Sequence, residues 1–391
     1  MLKQIKYNAL PLTKPEQQIV KKKTVAELQA QLREMISYCY RYEHEKIPDA
    51  FVKLRADPKS ITDVLSHCTA ARLSQCIDYM ESYYKNPEKH HEKLDKAKEA
   101  CKKLSSFYGS LPYGTMIGKE EFYPLFSVRY LIENMEKNLD YKGTDLDLLN
   151  RYRQSIILVL EIYIDSVANV TKELNDAGYC GAIEVPLLKP AASQLRPKEN
   201  DPAKLKDEMD DLGKYYFANM APAAELIRGG YYLSGYDDVD RRNRIKKDAL
   251  IALNAINAAY GTIPFASLHG NENYYPLFVC RKILQMLDKT ARAYYAKETK
   301  PEQQEYEELG LLIYSFNNVG GQYDEPINAL SKRIRSCPGY EETKHPKMDV
   351  VARRMWIHDF APDFWETTKV NRRVREEYEG QKQQGRWPNG K

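Results

Sequence analysis

The sequence is short of the patterns that usually announce a reaction. Its seven cysteines stand at 39, 68, 76, 101, 180, 280 and 337, an odd number with no C-x-x-C pair. That spacing argues against a disulfide framework, a zinc finger or a thioredoxin-like centre and leaves isolated thiols. Cys68 and Cys76 lie eight apart on one expected helix, about 12 Å by helix rise, too far to bridge. No Walker glycine loop and no G-x-S-x-G occur, so phosphate-cradle and nucleophile-elbow chemistry have no support. The formal net charge is only +4 over 391 residues, far from the basic excess of a nucleic-acid-binding protein. The longest apolar run, SIILVLEIYI at 155–164, is half a membrane span and contains Glu161, so no direct span is expected. The first residues, MLKQIKYNALPLTKPEQQIVKKK, are basic without the apolar core of a signal peptide. The protein is expected either to act where it is made or to follow a removed targeting segment. Hairpin turns flanked by alternating apolar residues are also missing, which excludes an all-β reading.

Tyrosine is plentiful: thirty, against ten phenylalanines. A tyrosine buries its ring while keeping a polar tip, which suits interfaces. The chain also repeats itself. Residues 108–137 laid over 260–289, an offset of 152, match at 11 of 30 positions without a gap. The matches include Tyr123/Tyr275, Pro124/Pro276, Phe126/Phe278 and Arg129/Arg281. Such self-similarity points to a duplicated structural unit.

Helical periodicity fills both copies. The first, 57–178, reads as four helices, opened by a Ser60 cap and by Thr144 with Asp147, and broken near Gly109 and Gly178. The second, 203–334, repeats the order, with a kink expected at Pro222 and a Thr299/Glu302 capping box before its last helix. An extra helix with a Thr24/Glu27 capping box lies in the segment 1–56. Residues 179–202 carry four prolines and read as a stiff linker. The tail, 335–391, holds all three tryptophans and the run HDFAPDFW. Trp356, Phe360, Phe364, Trp365 and Trp387 there suggest a strap lying either on the protein's own bundles or on a partner. The expected fold is all-α: two tandem four-helix bundles related by duplication, with an extra helix in front and an extended tail behind.

Candidate chemistry is sparse. His90 and His91 point about 100° apart on a helix and belong on a solvated face. His67 beside Cys68 has no second ligand pair. A di-iron bundle needs Glu-x-x-His twice, and Glu88 to His91 supplies it once. No catalytic residue, metal or cofactor is expected. The aromatic phrase Tyr123, Pro124, Phe126 and its copy Tyr275, Pro276, Phe278 read as a structural corner: proline starts a helix and the ring behind it anchors the core. The pairs Glu120/Arg129 and Glu272/Arg281 read first as salt bridges or caps orienting that helix, and second as a partner site used twice.

The helix order of the second unit is similar to the PsbQ-type lumenal four-helix proteins of photosystem II. The likeness rests on a helix ending NAINAAYG, a loop, a helix with Leu284 and Leu287 followed by Tyr294 and Tyr295, and an amphipathic helix opened by Pro301. It spans roughly 120 residues and reaches the first unit through the duplication. Members of that family are usually single bundles, and YYPLF is not one of their signatures. The resemblance implies a non-catalytic extrinsic subunit docked on protein subunits of a large membrane complex. It places the chain in an organelle at a membrane surface, with the thylakoid lumen favoured. The alternatives are an accessory subunit of a mitochondrial respiratory or ATP synthase complex, and a cofactor-carrying or adaptor bundle.

Overall fold

A computed structural model describes residues 23–40, 51–139, 146–186, 239–261, 263–297 and 302–323, with a few single positions around 201–208 and 329–336. The tail residues Trp356, Phe360, Phe364, Trp365 and Trp387 lie outside the described residues, as do Thr144, Pro222 and Thr299. The described chain is all-α apart from one short ribbon.

α1 (Val25–Tyr40) begins as its sequence dictates. The Thr24 hydroxyl accepts the Glu27 N–H at 3.2 Å, and Glu27 accepts the Thr24 N–H at 2.7 Å, a reciprocal capping box. Leu28, Leu32, Met35 and Ile36 recur at helical spacing and are buried. They lie in the cluster of buried side chains that continues through the next helices.

Four helices then form a closed ring. α2 (Pro58–Lys85) packs on α3 (His91–Gly109), α3 on α4 (Tyr123–Leu139), α4 on α5 (Leu146–Asp176), and α5 back on α2. α5 opens the chain to a membrane reading that the run 155–164 alone does not: it is long and apolar enough to span, with mean hydropathy 1.2. It is the core helix here. Its apolar residues recur every three or four positions, and α1, α2 and α4 cover it. Tyr163 donates from this helix to the Met35 carbonyl at 2.6 Å and so fastens α1 to the ring. Gly178 ends the helix region in the left-handed conformation, φ 89°, which glycine adopts without steric cost. Gly109 does not behave as a left-handed cap. α3 runs through it, and Ser110 follows in right-handed geometry.

The segment read as a linker contains a strand. β1 (Phe51–Arg55) pairs antiparallel with β2 (Ala182–Pro186), Phe51 opposite Pro186 and Arg55 opposite Ala182. Ile183 and Val185 are buried while Glu184 between them is exposed, the alternation of a half-buried strand. The prolines mark where pairing stops, since Pro186 is the last paired residue. The partner strand is about 130 residues earlier, so no local pattern reveals it.

The second copy supplies α6 (Val239–Gly261), α7 (Tyr275–Ala296) and α8 (Gln303–Gly320). α8 is capped by Glu302, whose side chain accepts from the backbone of Glu305 while Glu305 accepts from Glu302, so the box sits one turn later than Thr299/Glu302. The expected first helix of the second unit, 203–232, lies almost wholly outside the described residues, so three helices of that unit are described and a second four-helix bundle is not shown. The two copies are packed directly together. α4 lies on α7 and α5 on α8, and one contiguous cluster of buried side chains runs through both.

Candidate functional site

The repeated phrase builds the junction of the two copies. α3 and α6 end at Gly109 and Gly261, and each is followed by a proline of the same geometry: Pro112 at φ −82°, ψ 65°, and Pro264 at φ −81°, ψ 67°. The hydrogen bonds after it also repeat. Thr115 N–H reaches the Pro112 carbonyl at 2.9 Å, and Ser267 N–H reaches the Pro264 carbonyl at 2.9 Å. The two hydroxyls, Thr115 Oγ1 and Ser267 Oγ, donate to the same carbonyls at 2.9 Å. Short 3-10 turns at Glu120–Phe122 and Glu272–Tyr274 then lead into α4 and α7. A proline at the second helical position costs no intrahelical bond, which is why Tyr-Pro can open both helices.

Equivalent residues of the two corners meet. Tyr123 and Tyr275 stack with centroids 3.9 Å apart and planes 10° from parallel. Tyr123 meets Phe278 edge-on at 4.8 Å, and Phe126 meets Tyr275 edge-on at 5.5 Å. These two contacts exchange when the copies are exchanged, the mark of a self-complementary, pseudo-twofold interface. Within each corner Tyr113 meets Phe126 at 5.3 Å, and Phe265 meets Phe278 at 5.1 Å. Arg129 lies over the Tyr113 ring and Arg281 over the Phe265 ring. Phe278 is buried and Phe126 partly so, and both serve this junction rather than two separate cores.

The polar groups do not obey the symmetry. Arg281 crosses to Glu120 of the other copy at 2.6 Å, while Arg129 stays on its own helix with Glu133 at 2.7 Å. The expected Glu120–Arg129 pair within one copy is replaced by this crossing bridge, because the packing of α4 on α7 brings Glu120 to Arg281. His269 joins the network. Its Nδ1 is 3.2 Å from the Tyr123 hydroxyl, and its Nε2 is 3.6 Å from Glu120. The Gly118 N–H donates to the same Tyr123 oxygen at 3.0 Å. The Tyr123 hydroxyl is thus shared between the Gly118 N–H and the His269 ring, and the other ring nitrogen faces Glu120. Sequence reasoning found Tyr123, Phe278 and Arg281 through the repeat but not His269. Its counterpart is Ile117, so no repeat signal marks it.

This Tyr–His–Glu–Arg chain ties the surface of α4 to that of α7. Burial pushes the Tyr123 phenol up to about 12, against a smaller opposing effect of the Gly118 N–H. Burial first, then Tyr123 and Glu272, also raises Tyr275 above the usual phenol range. A phenol so shifted stays protonated at neutral pH. Beside the network is a cleft of about 150 Å3 where α4, α5 and α7 meet. Pro124, Ile162, Phe278 and Val279 form its floor, and Glu120, Glu121, Ser166 and Lys282 its rim.

Other candidates fall elsewhere. His90 precedes α3, and His91 begins it, on the surface with no side-chain cap. Cys76 and Cys101 are buried at the α2–α3 contact as free thiols, donating to the carbonyls of Ala97 and Ile132. The neighbouring Cys76 and burial both raise the Cys101 thiol far above its ordinary value. Among the described residues no group of three or more His, Cys, Asp or Glu is placed to hold a metal ion.

No protein-family model matches the chain, and no curated protein or solved structure matches it either. The class is defined by the fold: an all-α protein in which two copies of one helical corner pack through equivalent residues.

Proposed function

We propose that the chain is a non-catalytic accessory or linker subunit of a larger protein assembly, built from a duplicated four-helix unit. The observation that supports this most is the use made of the repeated phrase. Its aromatic residues are spent on joining the two copies into one body, with Tyr123 and Tyr275 both fully buried. A scaffold needs such rigidity. The cleft beside the junction is about 150 Å3, below the roughly 300 Å3 at which small-molecule sites usually begin. It suits a single side chain better than a substrate.

The resemblance of the second unit to PsbQ-type proteins supports a membrane complex as the assembly and an organelle as the place, with the thylakoid lumen ahead of the mitochondrion. The partners would then be protein subunits at the membrane surface. Native gel electrophoresis after gentle lysis, with mass spectrometry of the co-migrating band, tests this directly. Co-migration with a membrane complex, lost on a salt wash, is the expected result. A chain that runs only as a monomer after gentle lysis would overturn the reading.

A further inference from the structure

The contact of α2 with α3 carries a second inference, independent of the docking reading. We propose that Cys76 and Cys101 are the two halves of a reversible disulfide that locks α2 to α3 when the chain meets an oxidising thiol–disulfide pool. The two stand 25 positions apart, so their spacing alone marks no pair. The fold sets them face to face. Cys76 lies on the buried side of α2 with Leu73, Ile77 and Met80, and its Sγ is 3.5 Å from the Ala97 carbonyl of α3. So short a side chain touches the backbone of the next helix only where the two helices approach closely. Ala97 and Ala100 are both buried on α3, and their small side chains permit that approach. Cys101 stands one turn beyond Ala97. Its Sγ is 3.7 Å from the Ile132 carbonyl of α4 and within hydrogen-bonding reach of the Cys76 thiol. Both cysteines are free and fully buried.

The pair can bond without stranding its neighbours. The Ala97 and Ile132 carbonyls are helix-interior acceptors that keep their main-chain partners, so losing two weak S–H donors leaves no buried group unpaired. The oxidant is a low-molecular-weight disulfide such as oxidised glutathione. One cysteine thiolate attacks it, forms a mixed disulfide and releases one small thiol. The second cysteine then attacks the protein sulfur of that mixed disulfide and releases the other. Two protein thiols and one small disulfide thus become one protein disulfide and two small thiols. The neighbouring Cys76 thiol and then burial push the Cys101 thiol up, so the closed core holds back the thiolate that begins the exchange. The first step therefore waits for α2 to part from α3, or takes place during folding, and the closed bond is afterwards shielded from reductant. Of the other described cysteines, Cys180 is exposed just before β2 and Cys280 is buried on α7. The bond makes the stability of the first unit depend on the redox state of its compartment.

The test uses the full chain, unfolded in urea and refolded in buffers of rising oxidised-to-reduced glutathione ratio, so that burial does not block exchange. Mass spectrometry of the unreduced digest should show a peptide pair joining Cys76 to Cys101, with helical circular dichroism the same as in the reduced chain. The bond restrains the unfolded chain by closing the stretch from Cys76 to Cys101, and should raise the thermal midpoint by about 3–6 °C over the chain refolded with excess reductant. Cys76→Ala should abolish that rise, and so should Cys101→Ala, with each variant melting at one temperature in both buffers. Both thiols still free at every glutathione ratio would overturn the proposal. So would a bridge from Cys76 or Cys101 to any other cysteine, or a Cys76–Cys101 bond that lowers helicity or the thermal midpoint.

Discussion

The two corners have nearly the same backbone and different polar lives. Up to Met116 in one and Leu268 in the other, the turns and their backbone hydrogen bonds coincide. They part over the next two residues. Gly118 takes a left-handed conformation, φ 82°, and turns its N–H onto the Tyr123 hydroxyl. Gly270 remains inside the 3-10 turn Phe265–Gly270 and makes no such bond. The Tyr275 hydroxyl, equivalent to that of Tyr123, is buried with no hydrogen-bond partner among the described residues. The same ring position is thus satisfied on one side and orphaned on the other. The difference teaches that repeated apolar contacts need only shape, whereas a hydrogen bond needs a donor at one particular place.

The largest expected effect concerns the shared feature. Burial holds the phenols of Tyr38, Tyr113, Tyr123, Tyr275 and Tyr295 above their ordinary value. The folded state therefore keeps protons that the unfolded state loses near pH 10. Stability is fully present below that pH and falls as pH rises through the raised values. Alkaline titration should show helicity lost in step with tyrosinate absorbance above pH 10. Ionisation of these phenols with helicity unchanged would contradict their burial.

Next come the stacked rings. Tyr123→Ala and Tyr275→Ala each remove a buried aromatic ring and should cost about 3–5 kcal/mol in denaturant unfolding. A near-neutral result at either site would break the equivalence of the two corners. The hydroxyls should behave oppositely. Tyr123→Phe strands the Gly118 N–H and the His269 ring and should cost about 1 kcal/mol, while Tyr275→Phe should be neutral or stabilising. Equal costs would erase the asymmetry.

The crossing bridge gives a smaller test. Glu120 is 41% exposed and Arg281 28%, so a double-mutant cycle with Glu120→Gln and Arg281→Gln should give a coupling of only about 0.5–1 kcal/mol after allowance for solvent screening. The cycle of Glu120 with Arg129 should give none. The smallest net effect lies between α5 and α8, where Ser315 Oγ donates to Ser155 Oγ at 3.0 Å in a buried contact. Either serine to alanine should cost about 1 kcal/mol, and the double change much less than the sum.

Much of this was legible from residues alone, and the misses share a cause. The Thr24/Glu27 box, the break at Gly178 and the entry of both helices at Tyr-Pro are local, and local rules place them. Strand β2, the Glu120–Arg281 bridge and His269 each depend on a residue more than 120 positions away. No window along the chain contains both partners. Glu302 as the α8 cap was a nearer miss, because two glutamates and a threonine in succession offer two boxes of the same spacing.

The sequence by itself determined an all-α chain and the place of its repeated corner, because helical periodicity, capping chemistry and proline geometry act over a few residues. Tertiary structure alone decided that the two corners face each other, which arginine crosses between them, and which tyrosine hydroxyl is paired. Those outcomes follow from docking one helix pair on another, where a single residue such as His269 in place of Ile117 redirects the hydrogen bonds while the apolar packing stays the same.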